Sequence, residues 1–96
     1  TPGHTPGAIC LLFDNKLITG DTLFVGAIGR TDLLGGDAIK LFESLQKLKK
    51  LNDDIEIYPG HDYGAAKFST IGDEKKTNPY FMCSKREDFL NMVGFQ

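Results

Sequence analysis

The chain has 96 residues, of which 41% are hydrophobic and 25% charged, and its formal net charge is −2. This composition is ordinary for one soluble globular domain of modest size. Charges of both signs are interspersed, which argues against a nucleic-acid or membrane-surface partner. No apolar run approaches the roughly 20 residues of a membrane span.

The two cysteines, Cys10 and Cys83, lie far apart and form no CxxC motif. The spacing permits either one long-range disulfide or two free, partly buried thiols. We expect two free thiols in a reducing cytoplasm.

The first third of the chain predicts two strands and a long loop. Residues 8–14 form a continuous apolar run, which predicts a well-buried strand. A short turn at Asn15-Lys16 leads to Leu17–Thr19, the expected antiparallel partner. Residues 22–36 then form a glycine-rich loop. Loops of this length in a compact domain are more often functional than not.

The middle of the chain predicts a helix followed by a strand. Asp37 is a plausible N-cap, and one apolar stripe follows at helical spacing. The stripe comprises Ala38, Leu41, Phe42, Leu45 and Leu48. Residues 55–58 then predict a short strand, which ends at Pro59-Gly60.

The last third predicts helices with breaks. Ser69 or Thr70 would cap a helix through Lys76, which Asn78-Pro79 would end. The segment 84–87 has the form of a capping box, and the helix it begins would end near Gly94. Together the elements predict an α/β (α+β) fold, a small mixed sheet with helices on one face and the other face bare.

Three candidate metal ligands lie where predicted strands meet loops. His4, Asp21 and His61 each directly follow a glycine, although 17 and 40 residues separate them. Strands of one sheet can bring such loops to the same rim, and glycine allows close backbone approach. Two imidazoles and a carboxylate suit zinc, iron or manganese, and a carboxylate can bridge two metals.

Each of these residues also has a plainer interpretation. A lone loop histidine is most often a surface residue, and Asp21 after Gly20 could be a turn residue or a helix cap. His61-Asp62 could likewise be a simple turn. Both histidines of the chain, however, lie in the same kind of glycine-flanked loop.

Three ordered motifs resemble the later metal-binding motifs of the metallo-β-lactamase superfamily: Thr-Pro-Gly-His-Thr-Pro-Gly (1–7), Gly-Asp-Thr-Leu-Phe (20–24) and Tyr-Pro-Gly-His (58–61). Within it, the chain looks like the glyoxalase II (hydroxyacylglutathione hydrolase) and persulfide dioxygenase branch. Further segments are similar to that branch at 29–32, 61–63, 69–71 and 74–79. The resemblance runs from residue 1 to about residue 95.

The resemblance implies a role for each matched residue. His4 would complete the first metal site, and Asp21 would bridge two divalent metals or bind a single iron. His61 would belong to the second metal site, or stand behind the ligands in the iron enzymes. Arg30 and Tyr63 would border the substrate mouth and hold a glutathione-like thiol, unless they form a structural salt bridge and a packed ring.

Two further residues are given structural roles. Asp32 would be structural, paired with Arg30. Asn78, followed by Pro79, is interpreted as a helix terminator without a catalytic role.

One motif of the family is absent. The H-x-H-x-D-H motif should lie upstream of Thr1, and the chain opens on its most specialised loop. We therefore expect residues 1–96 to be one partial domain, the C-terminal half of an αββα sandwich with an incomplete metal site. Such a piece would be inactive alone, and its bare face would meet the missing half or another copy.

Three functions compete at this stage. The first is a thioester hydrolase, with metal-bound hydroxide attacking a hydroxyacylglutathione-like substrate and zinc as the favoured metal. The second is an iron-dependent persulfide dioxygenase. The third is a non-enzymatic half-domain, which the incomplete ligand set motivates.

Overall fold

A computed structural model describes residues 1–61 and 68–94. Its strands are β1 (Leu11–Phe13), β2 (Lys16–Gly20), β3 (Leu23–Phe24), β4 (Ala27–Ile28), β5 (Glu56–Pro59) and β6 (Ser69–Thr70). Its helices are α1 (Ala38–Lys49), α2 (Ile71–Thr77), α3 (Pro79–Met82) and α4 (Arg86–Met92). A four-stranded sheet has the order β1-β2-β5-β6, and β3 and β4 form a separate hairpin. The larger sheet is mixed, because β2 and β5 run parallel while its other pairs are antiparallel. The expected α/β (α+β) class is confirmed.

The first two strands pair as expected, but the first is not buried. The turn between them is Asp14–Asn15, one residue earlier than predicted, and both residues have positive φ. That is the conformation of a type I′ hairpin turn, which Asp and Asn tolerate. The prediction of a well-buried strand over 8–14 is wrong, because β1 covers only Leu11–Phe13 and all three residues are exposed. As an edge strand, β1 lies outside the helical cover, which packs over β2 and β5.

Helix α1 supplies much of the core. Asp37 is its N-cap, as predicted, and the Asp37 carboxylate accepts a hydrogen bond from the Lys40 backbone N–H at 3.0 Å. The predicted stripe is buried at Leu41, Phe42, Leu45 and Leu48. These side chains join Leu17 of β2 and Ile57 of β5 in one buried cluster. The sheet is therefore covered on the helical side by the predicted apolar stripe.

The long loop predicted over 22–36 contains a hairpin. Strands β3 and β4 pair antiparallel, with Leu23 opposite Ile28 and Phe24 opposite Ala27. The two-residue turn uses Gly26 at φ +78°, which glycine adopts readily. Strands of two residues are too short to show any alternation in sequence, so only this segment's glycines were recognisable.

The C-terminal helices differ in detail from the prediction. Thr70 caps α2, and Asn78 ends it, as expected. Asn78 also caps the unpredicted helix α3, accepting hydrogen bonds from the N–H groups of Tyr80 and Phe81. The predicted capping box at 84–87 is wrong, because α4 begins after Lys85 and has no side-chain cap. Gly94, at φ +71°, follows the end of α4.

The face of the sheet opposite the helices is apolar and exposed. Leu11, Ile18 and Tyr58 lie side by side across β1, β2 and β5, and each is at least 40% exposed. Phe13 on β1 extends this face. The bare face expected from the sequence is therefore present in the described part of the chain. Cys10 and Cys83 are both free and half-buried, so the free-thiol alternative holds.

Candidate metal centre

Close backbone contact brings the candidate ligand loops together at one rim of the sheet. Strands β2 and β5 run parallel, so the segments that follow them, Gly20-Asp21 and Gly60-His61, leave at the same edge. The Gly60 N–H donates to the Gly20 carbonyl at 2.7 Å. A Cβ on Gly60 would lie 3.0 Å from Asp21 Oδ1 and 3.2 Å from the Gly20 carbonyl carbon. Glycine at residue 60 therefore lets the two ligand loops touch.

Asp21 meets one imidazole at each of its carboxylate oxygens. His61 Nδ1 lies 2.7 Å from Asp21 Oδ1, a direct hydrogen bond with the ring N–H as donor. His4 Nε2 lies 3.7 Å from Asp21 Oδ2. Asp21 and His61 are partly exposed to solvent, whereas His4 is the most enclosed of the three. The structure thus places all three sequence-predicted ligands in one cluster.

A backbone carbonyl fixes the tautomer of His4. Its Nδ1 lies 2.8 Å from the carbonyl oxygen of Arg30, and a carbonyl can only accept, so Nδ1 carries the proton. When the ring is neutral, Nε2 therefore has an unprotonated lone pair, which is directed toward the Asp21 carboxylate. A backbone carbonyl is one of the usual partners for the remote nitrogen of a metal-ligating histidine.

The His4–Asp21 pair has a separation that suits a shared cation. Two acceptors that face each other repel unless a proton or a metal ion lies between them. Each ligand of a zinc ion lies about 2.1 Å from it, so two ligands are at most about 4.2 Å apart. The observed distance of 3.7 Å between His4 Nε2 and Asp21 Oδ2 is within that limit and is longer than a hydrogen bond. The donor set therefore fits a divalent metal.

The ligand set is nevertheless incomplete. Among residues 1–61 and 68–94, no group of three or more His, Cys, Asp and Glu side chains could hold a metal ion by itself. The direct hydrogen bond between His61 and Asp21 also occupies one oxygen and one nitrogen of the cluster. A metal held by His4 and Asp21 would need further protein ligands, since catalytic zinc usually has three.

Arg30 and Asp32 form a bidentate ion pair beside this cluster. Arg30 Nε and a terminal guanidinium nitrogen donate to the two Asp32 oxygens at 2.7 and 2.8 Å. The hydrogen bonds that Arg30 donates to Asp32 lower the pKa of Asp32 to about 2 and raise the pKa of Arg30. The expected pairing of Asp32 with Arg30 is confirmed.

Arg30 also lines an open groove of about 870 Å³. Thr31, Tyr80 and Met92 are among the other residues that line it. Both partners of the Arg30 ion pair are largely exposed to solvent. A substrate role for Arg30 stays a prediction. Tyr63, the other predicted substrate residue, lies outside the described residues.

Three residues at the site were not predicted from the sequence. The Phe24 ring meets the His61 ring edge-on, with centroids 6.2 Å apart. Within the described residues, the buried hydroxyl of Thr22 next to Asp21 has no hydrogen-bond partner. A Cβ on Gly29 would clash with the Asp21 carbonyl and lie 3.1 Å from His4 Cβ. The available signals were the motif at 20–24, which includes Thr22 and Phe24, and the similar segment at 29–32, which begins with Gly29.

Fold and site define an α/β protein with His and Asp side chains clustered at one rim of a mixed sheet. The family model of the Metallo-beta-lactamase superfamily matches residues 1–61. The chain belongs to the metallo-β-lactamase superfamily.

The curated relatives include hydrolases and a dioxygenase. The chain is 37% identical over 91 residues to a probable polyketide biosynthesis zinc-dependent hydrolase, PksB, of Bacillus subtilis, covering 94% of this chain. It is 49% identical over 82 residues to the hydroxyacylglutathione hydrolase GloC of Haemophilus influenzae, covering 82%. It is 37% identical over 97 residues to the mitochondrial persulfide dioxygenase ETHE1 of Homo sapiens, covering 98%. The chain spans 40%, 37% and 38% of these relatives' lengths, respectively.

Solved structures share the fold. ETHE1 from Myxococcus xanthus superposes with a TM-score of 0.90 at 40% identity, over 98% of this chain and 42% of that one. TTHA1623, crystallised in a di-iron-bound form, gives a TM-score of 0.73 at 39% identity, over 82% of this chain and 39% of that one. The expected αββα-type family and partial coverage of its fold are thus confirmed. Among the described residues, no helix is long and apolar enough to cross a membrane.

Proposed function

We propose that this chain is part of a metal-dependent hydrolase that cleaves a thioester of the hydroxyacylglutathione type. The observation that carries the proposal is the His4–Asp21 geometry. An imidazole lone pair and a carboxylate oxygen face each other at 3.7 Å, with the remote imidazole nitrogen held by a carbonyl. The substrate class is favoured by the 49% identity to a hydroxyacylglutathione hydrolase.

In this proposal, the residues of the chain hold and orient the metal centre. His4 and Asp21 would bind one divalent metal, and Asp21 with His61 would contribute to a second. A bound zinc would supply an activated water and polarise the thioester carbonyl. The Arg30 carbonyl keeps Nδ1 of His4 protonated, so that Nε2 is available as a ligand. Zinc is the favoured metal, with iron and manganese as alternatives, and further ligands would come from outside residues 1–61 and 68–94.

An iron-dependent persulfide dioxygenase is the second candidate. The similarity to human persulfide dioxygenase favours it, as does the hydrogen bond between His61 and Asp21, which leaves His61 behind the ligand rather than on a metal. A non-enzymatic half-domain is the third candidate, supported by the incomplete ligand set.

The remaining partners are part of the same proposal. The apolar sheet face would be covered by the rest of the parent protein or by another copy, because exposed apolar patches commonly mark interfaces. Two half-buried free thiols suit a reducing compartment, so a cytoplasmic location is proposed.

Metal analysis and turnover of the full-length protein test the proposal. Thioester hydrolysis with bound zinc and no oxygen uptake would support the hydrolase. One iron per chain with oxygen consumption on glutathione persulfide would replace it with the dioxygenase. If the full-length protein shows neither bound metal nor turnover, the non-enzymatic half-domain is the remaining candidate.

A pair of isosteric variants assigns the metal to this site. Asp21→Asn keeps the shape of the side chain but removes its charge and one oxygen, so it should abolish stoichiometric metal binding. Asp54→Asn makes the same change at an exposed residue, before β5 rather than after it, and should retain the metal. Equal metal content in both variants would show that Asp21 is not a ligand.

A further inference from the structure

A buried polar pair lies behind the metal site and takes no part in the chemistry proposed above. Glu74 and Asn78 are one helical turn apart in α2 and its cap, and only 1% and 0% exposed. Burying a carboxylate is costly unless hydrogen bonds replace its water. Glu74 receives three, from the Ser69 hydroxyl at 2.6 Å and from the Gly26 N–H and the Asn78 amide at 2.9 Å each.

The pair holds one short element, the hairpin formed by β3 and β4. Besides the bond from Gly26 to Glu74, the Asn78 amide nitrogen donates to the carbonyls of Ala27 at 3.1 Å and Phe24 at 3.4 Å. These bonds span 48 to 54 residues of sequence. The polar groups at the hairpin turn are thus satisfied from α2 and its cap.

The same hairpin adjoins or contacts all three candidate ligands. Asp21 immediately precedes Thr22, whose carbonyl accepts from the Gly29 N–H at 3.2 Å and so closes the hairpin. The Arg30 carbonyl, just beyond that closure, accepts from His4 Nδ1. The ring of Phe24 lies against His61. A shift of the hairpin would therefore move a contact of every ligand.

We propose that Glu74 and Asn78 are positioning residues for the metal centre, acting through the β3–β4 hairpin. The inference rests on the proposed metal site. The pair binds no substrate and touches no ligand; it sets where Asp21 and the Arg30 carbonyl lie. Loss of residues that orient metal ligands typically costs about 10- to 100-fold in metal affinity.

Asn78→Asp separates this role from helix capping. Aspartate keeps the oxygen that caps α3, but it has no N–H for the carbonyls of Phe24 and Ala27 or for Glu74, and it places a second carboxylate oxygen against Glu74. We expect a zinc dissociation constant at least about tenfold higher in the full-length protein. We also expect a changed d–d absorption spectrum when cobalt replaces zinc, because ligand geometry changes.

Glu74 gives a second, independent set of variants. Glu74→Ala removes every bond of the carboxylate and should raise the dissociation constant by a similar factor. Glu74→Gln retains an oxygen for Gly26 and Asn78, and its amide can donate to the Ser69 hydroxyl, so it should recover most of the lost affinity. Ser69→Ala removes the bond that holds the Glu74 carboxylate in place against Gly26 and Asn78, so it should loosen those contacts without abolishing them and give an intermediate loss.

Leu48→Ala is the control for lost stability. Leu48 is buried in the core cluster near the C-terminal end of α1, and its loss leaves the hairpin bonds intact. Zinc affinity is compared only between proteins that are folded at the temperature of the titration, as shown by circular dichroism.

Four outcomes overturn the inference. If Asn78→Asp and Glu74→Ala bind zinc with wild-type affinity, the inference is wrong but the proposed metal site is unaffected. An equal loss in Leu48→Ala would assign the effect to general destabilisation. Absence of metal from the wild-type full-length protein would remove the metal site itself and this inference with it. If the two strong variants do not fold, wild-type affinity in Ser69→Ala decides against the inference.

Discussion

Gly29 offers the sharpest test of how the ligand loops are packed. Gly29→Ala adds one methyl group where the Asp21 carbonyl oxygen lies far inside van der Waals contact and His4 Cβ is 3.1 Å away. The nearest atom belongs to the backbone of a ligand residue, so no flexible side chain can move aside. The loop carrying Asp21, or the segment carrying His4, must shift instead.

Overpacking of this kind typically costs 1–3 kcal/mol. Because backbone must move, we expect a loss of about 3 kcal/mol in the free energy of unfolding, the upper end of that range. That is roughly a hundredfold change in the folding equilibrium. The ligands lie at the clash, so metal affinity of the folded fraction should fall as well.

Gly7→Ala is a matched control for this substitution. A Cβ at Gly7 would have no atom within 4 Å, so its free energy of unfolding should stay within about 0.5 kcal/mol of wild type. Urea unfolding measures both variants, and zinc titration measures their sites. A Gly29→Ala protein as stable as Gly7→Ala, with unchanged zinc affinity, would refute the packing described here.

Three further predictions address other parts of the molecule. The Asp32 carboxyl should titrate near pH 2 by NMR, and Arg30→Gln should move it back toward 3.8, because the guanidinium hydrogen bond causes the shift. Any stability from this exposed pair is present above about pH 3.8 and is lost as pH falls through about 2. Asp37→Ala should lower the free energy of unfolding by about 1 kcal/mol in urea, since it removes the α1 N-cap. The isolated chain should self-associate by light scattering, and Leu11→Lys with Phe13→Lys should reduce this; a wild-type monomer at high concentration would contradict it.

Local patterns predicted the elements whose signals lie within one turn or one strand. The α1 stripe and its Asp37 cap were predictable because helical spacing and an N-cap are properties of about a dozen adjacent residues. The rim position of the ligands was predicted because each follows a glycine in a loop at the edge of a predicted strand. Both predictions concern residues that are neighbours in sequence.

The errors concern contacts between distant residues. An apolar run does not show whether a strand lies at the edge, so Leu11–Phe13 was predicted to be buried. Ser84 has capping chemistry, but α4 starts two residues later, at Arg86. Asn78 was correctly predicted to end a helix, yet its hydrogen bonds to the hairpin span 51 and 54 residues and left no local trace.

The candidate site therefore depends on backbone packing as much as on its ligands. Gly60 allows the β5 loop to reach the Gly20 carbonyl at 2.7 Å, and Gly29 allows the hairpin to close against Asp21 and His4. His4, in turn, takes its tautomer from a carbonyl rather than from another side chain. Because each of these contacts involves main-chain atoms, substitution of a rim glycine should damage the site as severely as substitution of a ligand. In the Gly60-His61 motif, the glycine thus allows the close approach of the two ligand loops, and the histidine supplies the chemistry.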